Sequence, residues 1–267
     1  MVPFCVAEAQ VDRRRSRWNA AIVAYALVVV AIVGLAFSQG WFQGDDSAVG
    51  EPTTTTSSST TTTIPTEVPP LTFVATPRGE IPKFDAPGGA QIGVVGVWYG
   101  YPMTMPILER QGEWLKVMTP ERPNMSTAWI HTSQADVGQS AYRIVIRLAE
   151  TKVIVYKDGF RLYEMPAGLG KAATPTPPGS YFVAVKEMPG PHGYGPVVLD
   201  LSAHSEAIQS WQGAGDAIIA LHGPISASSD RQIGATGTYI SNGCVRLHEA
   251  DQVKLAEVPL GTPVDIV

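Results

Sequence analysis

A segment of 27 residues, from Gly44 to Pro70, divides this chain of 267 residues into parts that must fold separately. It consists mainly of threonine and serine with scattered proline, including two runs of four threonines. Such a segment has almost no apolar surface to bury, so we expect it to be disordered and a candidate for glycosylation. A flexible coil of this length averages about 30 Å from end to end. Folded structure after this segment is expected between Leu71 and Val267.

The N-terminal part carries 18 consecutive uncharged residues, Ala20 to Phe37, which follow an arginine cluster at 13–17. That length suits a membrane span better than the core of a signal peptide, which has about 7–15 residues. We predict a cytoplasmic tail at 1–18, a transmembrane signal anchor at 19–38 and a Thr/Ser/Pro-rich linker at 39–70. Arginines before the span place the N-terminus in the cytoplasm and the remainder of the chain outside the cell membrane. A cleaved signal peptide is the alternative.

Residues 71–139 alternate short apolar stretches with turns rich in glycine, which predicts a small β-module. The sequence Gly-Glu-Trp-Leu-Lys-Val at 112–117 and the Trp-Ile pair at 129–130 resemble a bacterial SH3-like barrel. Its aromatic residues allow two interpretations, a groove that binds glycan or peptide, or a packing module with tryptophans in its core. The residues concerned are Trp98, Tyr99, Tyr101, Trp114 and Trp129.

Residues 141–267 are also mainly β in character. Apolar residues alternate at 142–148, and Asp158-Gly159 predicts a tight hairpin between two further strands. Two helices are expected, one within 202–211 and one from His248 to about Glu257. The fold class is therefore mainly β: a β-rich sandwich preceded by the SH3-like barrel, the linker and the transmembrane helix.

The chain has two cysteines, and Cys5 lies before the predicted span, so Cys244 has no disulfide partner in its own domain. A lone cysteine is most often a small buried hydrophobe. Here Gly243 removes a side chain beside the sulfur, Arg246 adds a cation, and an apolar strand leads into His222. A cysteine nucleophile requires at least a thiol and a base, such as a histidine, that accepts the proton of the thiol.

Other classes of function receive little support from the composition. The cysteines and histidines show no zinc-ligand spacing, and we expect no metal or cofactor. The net charge of −5 argues against a nucleic-acid partner.

The motif Ser241-Asn242-Gly243-Cys244-Val245-Arg246-Leu247, with Leu221-His222-Gly223 upstream, resembles the signature of the bacterial L,D-transpeptidase family, which remodels peptidoglycan. The wider resemblance covers 141–267 and includes the Thr-Pro segment at 174–181. It implies the same mainly β catalytic sandwich. The 22 positions from His222 to Cys244 exceed the usual interval, and we interpret the insert at 226–237 as a surface loop.

The resemblance also implies roles for single residues. Cys244 would be the nucleophile and His222 the general base, with the backbone carbonyl of Gly223 orienting the histidine ring. Backbone N–H groups of Asn242, Gly243 and Cys244 would form an oxyanion hole.

The implied substrate is a peptidoglycan stem tetrapeptide, which the enzyme would cleave after its third residue with release of D-alanine. Transfer to the third residue of a second stem would make a 3→3 cross-link and place the protein in cell-wall organisation and cell shape. Carbapenems are expected to acylate the same thiol. The expected partners are the stem peptides and the cytoplasmic membrane.

Two further residues of the motif keep open roles. Ser241 either hydrogen-bonds the histidine or the cysteine loop, or is a turn residue. Arg246 either shapes the site and holds a carboxylate, or forms a structural salt bridge to Asp251 or Glu249. The remaining histidines receive less weight: His131 lies in the first module, His248 begins a helix, and His192 and His204 either border the cleft or lie in exposed loops.

Three alternatives to the transpeptidase remain at this point. Water as the acceptor would give an L,D-carboxypeptidase. A sortase would share the membrane anchor and the cysteine, but its Thr-Leu-x-Thr-Cys strand is absent. A non-enzymatic wall-binding protein would leave Cys244 incidental.

Overall fold

The structure is a computed structural model that describes residues 66–267 except 192, 212, 214, 235 and 236. The predicted tail, the anchor at 19–38 and nearly all of the linker lie outside the described residues and stay predictions. Within the described part, none of the helices has the length and apolar character that a membrane crossing requires.

The residues before 141 form a seven-stranded sheet with the order β3-β2-β8-β7-β6-β1-β9, and β4 pairs with β5 in a separate hairpin. A short 3-10 helix, Thr132–Gln134, precedes the last strand. The strands are β1 Thr72–Pro77, β2 Ile81–Phe84, β3 Gln91–Val95, β4 Val97–Trp98, β5 Tyr101–Pro102, β6 Met105–Gln111, β7 Trp114–Met118, β8 Thr127–His131 and β9 Ala135–Ser140. A β-module is therefore confirmed at 71–139, and its SH3-like type stays a prediction.

The residues from 142 onward form an eight-stranded sheet with the order β12-β11-β10-β19-β14-β15-β16-β18, while β13 pairs with β17. Two short helices, α1 Ala227–Gln232 and α2 Glu249–Gln252, lie among the strands, and a 3-10 helix, Val253–Glu257, continues α2. The strands are β10 Tyr142–Arg147, β11 Lys152–Lys157, β12 Phe160–Pro166, β13 Leu169–Gly170, β14 Gly179–Glu187, β15 Val198–His204, β16 Ile218–His222, β17 Tyr239–Ser241, β18 Val245–Arg246 and β19 Pro263–Ile266.

The turn chemistry explains the first hairpin of this sheet. Asp158 and Gly159 have φ angles of 52° and 83°, the left-handed values that a tight β-hairpin turn between β11 and β12 requires. The predicted hairpin at this position is confirmed. The closing strand β19 then pairs in parallel with β10 and antiparallel with β14, which completes the centre of the sheet.

Strand β14 is buried on both faces. Tyr181 and Val183 belong to the core of the eight-stranded sheet, whereas Phe182 and Ala184 belong to the core of the N-terminal module. This explains why five successive residues of the strand are apolar, since neither face meets water. The module therefore packs directly onto the outer face of the eight-stranded sheet.

Polar contacts fix the same junction. Asn124 of the module exchanges hydrogen bonds with the backbone of His204, at 2.8 and 2.9 Å. The His204 ring nitrogen Nε2 lies 2.6 Å from the carbonyl oxygen of Pro120. Arg122 of the module forms an ion pair with Asp216 at 2.9 Å. These contacts join two regions that lie about 80 positions apart in the chain.

The tryptophans of the module pack in or against its core and do not form an open groove. Trp129 is buried, and Trp114 packs edge-on against Phe84 with ring centroids 5.1 Å apart. Trp98 packs against the module core and edge-on to the ring of His204, at 6.2 Å. The packing interpretation is correct for these three tryptophans.

Two predictions of secondary structure need correction. The helix expected within 202–211 is wrong, because β15 continues to His204 and bends follow it. The insert at 226–237 is not only a loop, since it contains α1, which begins with a capping box between Ser226 and Ser229. The helix expected from His248 to Glu257 is confirmed as α2 and its 3-10 continuation.

We predict that Phe182→Ala lowers the free energy of unfolding by about 3–5 kcal/mol, because it leaves a cavity between the two sheets. Phe160→Ala is the matched control, since Phe160 is exposed and its loss is expected to cost little. Denaturant unfolding of the two variants measures the difference. A loss below about 1 kcal/mol for Phe182→Ala would show that the junction is not a true core.

Candidate active site

Strands β16 and β18 pair in parallel at one edge of the eight-stranded sheet and position the two predicted catalytic residues. Leu221 lies opposite Val245, and both side chains are fully buried in the core of the sheet. Because side chains alternate between the two faces of a strand, His222 and Cys244 project from the opposite face. The fold thus brings both residues to one surface.

The His222 ring is held by its neighbour in the chain. Its Nδ1 lies 2.7 Å from the carbonyl oxygen of Gly223, and a carbonyl can only accept, so Nδ1 carries the proton and Nε2 keeps a lone pair. The ring is buried, and the edge-on ring of Tyr194 lies 4.7 Å from its centroid. Burial lowers the pKa of His222 to about 4; the Gly223 hydrogen bond opposes this and the charge of Arg246 adds to it. His222 is therefore neutral at pH 7.

Cys244 is partly exposed, and its Sγ lies 3.9 Å from the carbonyl oxygen of Ile218. Burial of the thiol raises its pKa, and the charge of Asp200 raises it further. The backbone of Ala220 and the cation of Arg246 act in the opposite direction. No hydrogen bond within the described residues joins Cys244 to His222, so the resting site holds a neutral thiol and a neutral imidazole.

Side-chain hydroxyls fix the loop before Cys244. The Ser241 hydroxyl donates to the Cys244 carbonyl at 2.6 Å and accepts from the Gly243 N–H at 3.1 Å. Ser241 thus bonds the cysteine loop and not the histidine. The Gly243 N–H, one of the three expected oxyanion donors, is occupied by this bond. That leaves the N–H groups of Asn242 and Cys244 as candidates.

Thr176 belongs to the Thr-Pro segment at 174–181, and its contact with the cysteine loop was not predicted from the sequence. Its buried hydroxyl accepts from the Gly170 N–H at 2.9 Å and donates to the Gly243 carbonyl at 2.8 Å. It therefore ties the Thr-Pro segment to the cysteine loop. Gly243 itself has a φ of 122°, and a Cβ there would lie 2.8 Å from Ile219 Cδ1, so only glycine fits.

Arg246 lies opposite His222 in the β16–β18 ladder and is buried. Its Nε has no hydrogen-bond partner in the part of the chain that the structure describes. Among the described residues neither expected acid pairs with it, and Asp251 instead binds Lys254 at 2.6 Å. The structural salt bridge is therefore wrong, and the guanidinium remains available beside the thiol.

The neighbouring part of the same sheet face is acidic and borders the N-terminal module. Asp200 of β15 lies opposite Ala220, and burial together with the charge of Glu187 raises the pKa of Asp200 to about 7. The Tyr101 hydroxyl of the module donates to Glu187 at 3.0 Å. The hairpin of β4 and β5 thus reaches the surface that carries Asp200.

The other described histidines contact groups other than Cys244. His204 is buried at the domain junction, and its Nδ1 lies 2.8 Å from Asp216. His248 precedes α2 and contacts Asp230 at 2.7 Å, and His131 lies beside Trp114 in the module. His192 is outside the described residues. In the described part of the chain no cluster of acids, histidines and cysteines is arranged to hold a metal ion.

A cavity of about 670 Å³ lies beside α1 and is lined by residues that include Pro224, Ser226, Asp230 and His248. Neither Cys244 nor His222 lines it. The cavity is therefore separate from the side chains of Cys244 and His222.

The fold and site define a mainly β domain with a cysteine and a histidine on adjacent parallel strands. Residues 141–266 match the family model of YkuD, the L,D-transpeptidase catalytic domain. A Bacillus licheniformis protein named as an L,D-transpeptidase, YkuD, is 33% identical over 127 residues, which are 47% of this chain and 65% of that protein. The resemblance is thus confirmed for residues 141–266, which match the L,D-transpeptidase catalytic domain.

Solved structures include similar proteins. An L,D-transpeptidase from Mycobacterium smegmatis is 18% identical, with a TM-score of 0.38 over 61% of this chain and 82% of its own. L,D-transpeptidase 3 from Mycobacterium tuberculosis is 16% identical, with a TM-score of 0.40 over 64% of this chain and 76% of its own. The chain spans about two thirds of the length of the curated relative that it matches.

We predict that alkylation of Cys244 accelerates about tenfold for each pH unit between pH 6 and 9, because the reactive thiolate is a minor species throughout that range. The pKa of the thiol is raised and that of His222 is about 4, so neither group charges near neutrality. Iodoacetamide labelling of a Cys5→Ala chain measures the rate. A plateau below pH 7 would reveal a thiolate–imidazolium pair and contradict the neutral resting state.

We also predict that Thr176→Val lowers the free energy of unfolding by about 2–4 kcal/mol, since it strips both a buried N–H and a buried carbonyl of their partner. Thr174→Val is the matched control, because the Thr174 hydroxyl makes only a long contact of 3.5 Å to Ser241. Denaturant unfolding compares them. Equal losses for the two variants would mean that Thr176 does not brace the loop.

Proposed function

We propose that this protein is a peptidoglycan L,D-transpeptidase that works through a thioester on Cys244. The observation that carries the proposal is the parallel pairing of β16 with β18, which sets His222 and Cys244 on one face beside Arg246, an arginine with no acid partner among the described residues. The hydrogen bond from His222 Nδ1 to the Gly223 carbonyl supports the same role, since it leaves Nε2 ready to accept a proton.

In the first step the thiol of Cys244 turns from the Ile218 carbonyl and gives its proton to Nε2 of His222. The sulfur attacks the carbonyl carbon of the third stem residue, and the N–H groups of Asn242 and Cys244 receive the developing oxyanion. The C–N bond to D-alanine then breaks, and His222 returns the proton to the leaving amine. A thioester on Cys244 remains.

In the second step the side-chain amine of the third residue of another stem attacks the thioester. His222 takes the proton that the amine loses and gives it to the departing thiolate. The product is a 3→3 cross-link, and the free thiol of Cys244 is restored.

The proton transfer in the first step is thermodynamically unfavourable, but its free-energy cost is smaller than the activation barrier of a typical enzyme. The pKa of the Cys244 thiol, raised by burial, exceeds the pKa of about 4 at His222 by several units, and each unit costs about 1.4 kcal/mol. Turnover at about 10 per second corresponds to a barrier near 16 kcal/mol, so the transfer leaves room for the chemistry.

The guanidinium of Arg246 is proposed to bind a substrate carboxylate next to the scissile bond. It is buried and lacks an acid partner among the described residues, and it lies beside His222. A carboxylate that binds there would satisfy a cation whose burial is otherwise costly. The free carboxylate of the terminal D-alanine has this chemistry.

The location of the protein belongs to the same proposal. Residues 19–38 would anchor the chain in the membrane with its N-terminus in the cytoplasm. The linker at 39–70 would hold the catalytic domain away from the membrane, facing the cell wall. An L,D-carboxypeptidase with water as the acceptor and a non-enzymatic wall-binding protein are the alternatives.

The experiment incubates the purified full-length chain with a synthetic stem tetrapeptide and follows the products by mass spectrometry. We expect a cross-linked dimer and free D-alanine from the wild type and neither from Cys244→Ala. His222→Gln should lower the rate about 10²–10⁴-fold, the usual contribution of a general base. A carbapenem should block the reaction and add its mass to the peptide that contains Cys244.

Two variants serve as matched controls, Cys5→Ala for the thiol and His248→Gln for the histidine, and both should retain the wild-type rate. Tripeptide without dimer would support the carboxypeptidase. No product from the wild type, or wild-type turnover by Cys244→Ala, would overturn the assignment.

A further inference from the structure

Gln252, the last residue of α2, is fully buried and reaches into the loop between β14 and β15. Its Nε2 donates to the carbonyl oxygens of Tyr194, at 2.8 Å, and of Val197. Both carbonyls belong to the same loop, 58 and 55 positions before Gln252 in the chain. One side-chain amide therefore clamps two points of this loop.

The clamped loop is in contact with the His222–Gly223 unit. The Tyr194 carbonyl that Gln252 binds also accepts the backbone N–H of Gly223, at 2.9 Å. The ring of Tyr194 covers the ring of His222 edge-on. Through Tyr194 the loop therefore covers the imidazole and also binds Gly223, the residue whose carbonyl holds Nδ1.

The oxygen of the Gln252 amide adds a steric contact. Oε1 has no hydrogen-bond partner among the described residues and lies near Gly223, where a Cβ would come within 2.8 Å of it. Three groups thus surround Gly223: the Tyr194 carbonyl at its N–H, His222 Nδ1 at its carbonyl, and Gln252 Oε1 where a Cβ would point. None of these contacts reaches the sulfur, so Gln252 acts through other groups.

We propose that Gln252 is a positioning residue for His222, which pins the Tyr194 loop and backs Gly223 so that the imidazole stays covered and keeps its Nδ1–H form. This inference rests on the proposed function in so far as His222 is the base there. Arg246 faces the same ring from β18 and remains unchanged in the variants below.

Two glycines of the loop supply a matched pair of variants. Gly193 and Gly195 have φ angles of 86° and 89°, so alanine strains the backbone equally at either position. A Cβ at Gly193 meets nothing within 4 Å, whereas a Cβ at Gly195 overlaps the Gln252 amide. Gly195→Ala therefore displaces Gln252 without altering it, and Gly193→Ala reproduces only the strain.

The experiment titrates the His222 ring by NMR in the full-length chain labelled with ¹⁵N-histidine, without substrate. The wild-type ring should titrate near 4 as a single Nδ1–H tautomer. Gln252→Met, which keeps the length of the side chain and removes its donors, should raise the midpoint by at least about one unit toward the ordinary 6.5. Gly195→Ala should do the same and mix the tautomers, while Gly193→Ala should match the wild type.

A wild-type midpoint and tautomer in Gly195→Ala would overturn the proposal, as would the same result in Gln252→Met. Equal shifts in Gly193→Ala and Gly195→Ala would also overturn it, because loop strain alone would then explain them. If Gln252→Met does not fold, the glycine pair decides. Since no substrate is used, a failure of the transpeptidase proposal would leave this result unaffected.

Discussion

Strand β14 is shared by the cores of both sheets, and the position of the site depends on that shared burial. Phe182 and Ala184 face the N-terminal module, whereas Tyr181 and Val183 face the catalytic core. The pairing of β14 with β15 and of β15 with β16 keeps the same two faces across the sheet. His222 therefore projects from the face on which the module packs. The module therefore packs on the same outer face that carries the proposed chemistry, and removing it would expose a core and not merely detach an accessory.

The electrostatics of the site keep Cys244 and His222 uncharged before a substrate binds. Burial lowers the pKa of His222 and raises that of Cys244, so both groups resist charging. Among the described residues the cation of Arg246 favours a thiolate, and the charge of Asp200 opposes it. Within the proposed mechanism, a substrate carboxylate that engages Arg246 would offset the charge that lowers the pKa of His222, so that binding would make the imidazole a stronger base. A thiol that stays protonated until then is also protected from oxidation.

Local patterns in the sequence predicted much of the fold and little of the long-range bracing. The Asp158-Gly159 hairpin and the helix after His248 follow from turn and helix signals within a few residues. The expected helix in 202–211 failed because β15 pairs with two neighbouring strands, and propensity does not register such pairing. The long-range hydrogen bonds of Thr176 and Gln252 were not predicted, because their partners lie 67 and 58 positions away.

The central claim is that Cys244 forms a covalent acyl intermediate with a stem peptide. The most direct measurement is mass spectrometry of the intact chain, quenched in acid within seconds of mixing with a tetrapeptide stem, followed by peptide mapping. The account predicts an adduct equal to the stem without its terminal alanine, located on the peptide that contains Cys244 and absent from Cys244→Ala. An adduct on another residue, or cross-linked product formed with Cys244 never modified, would contradict it.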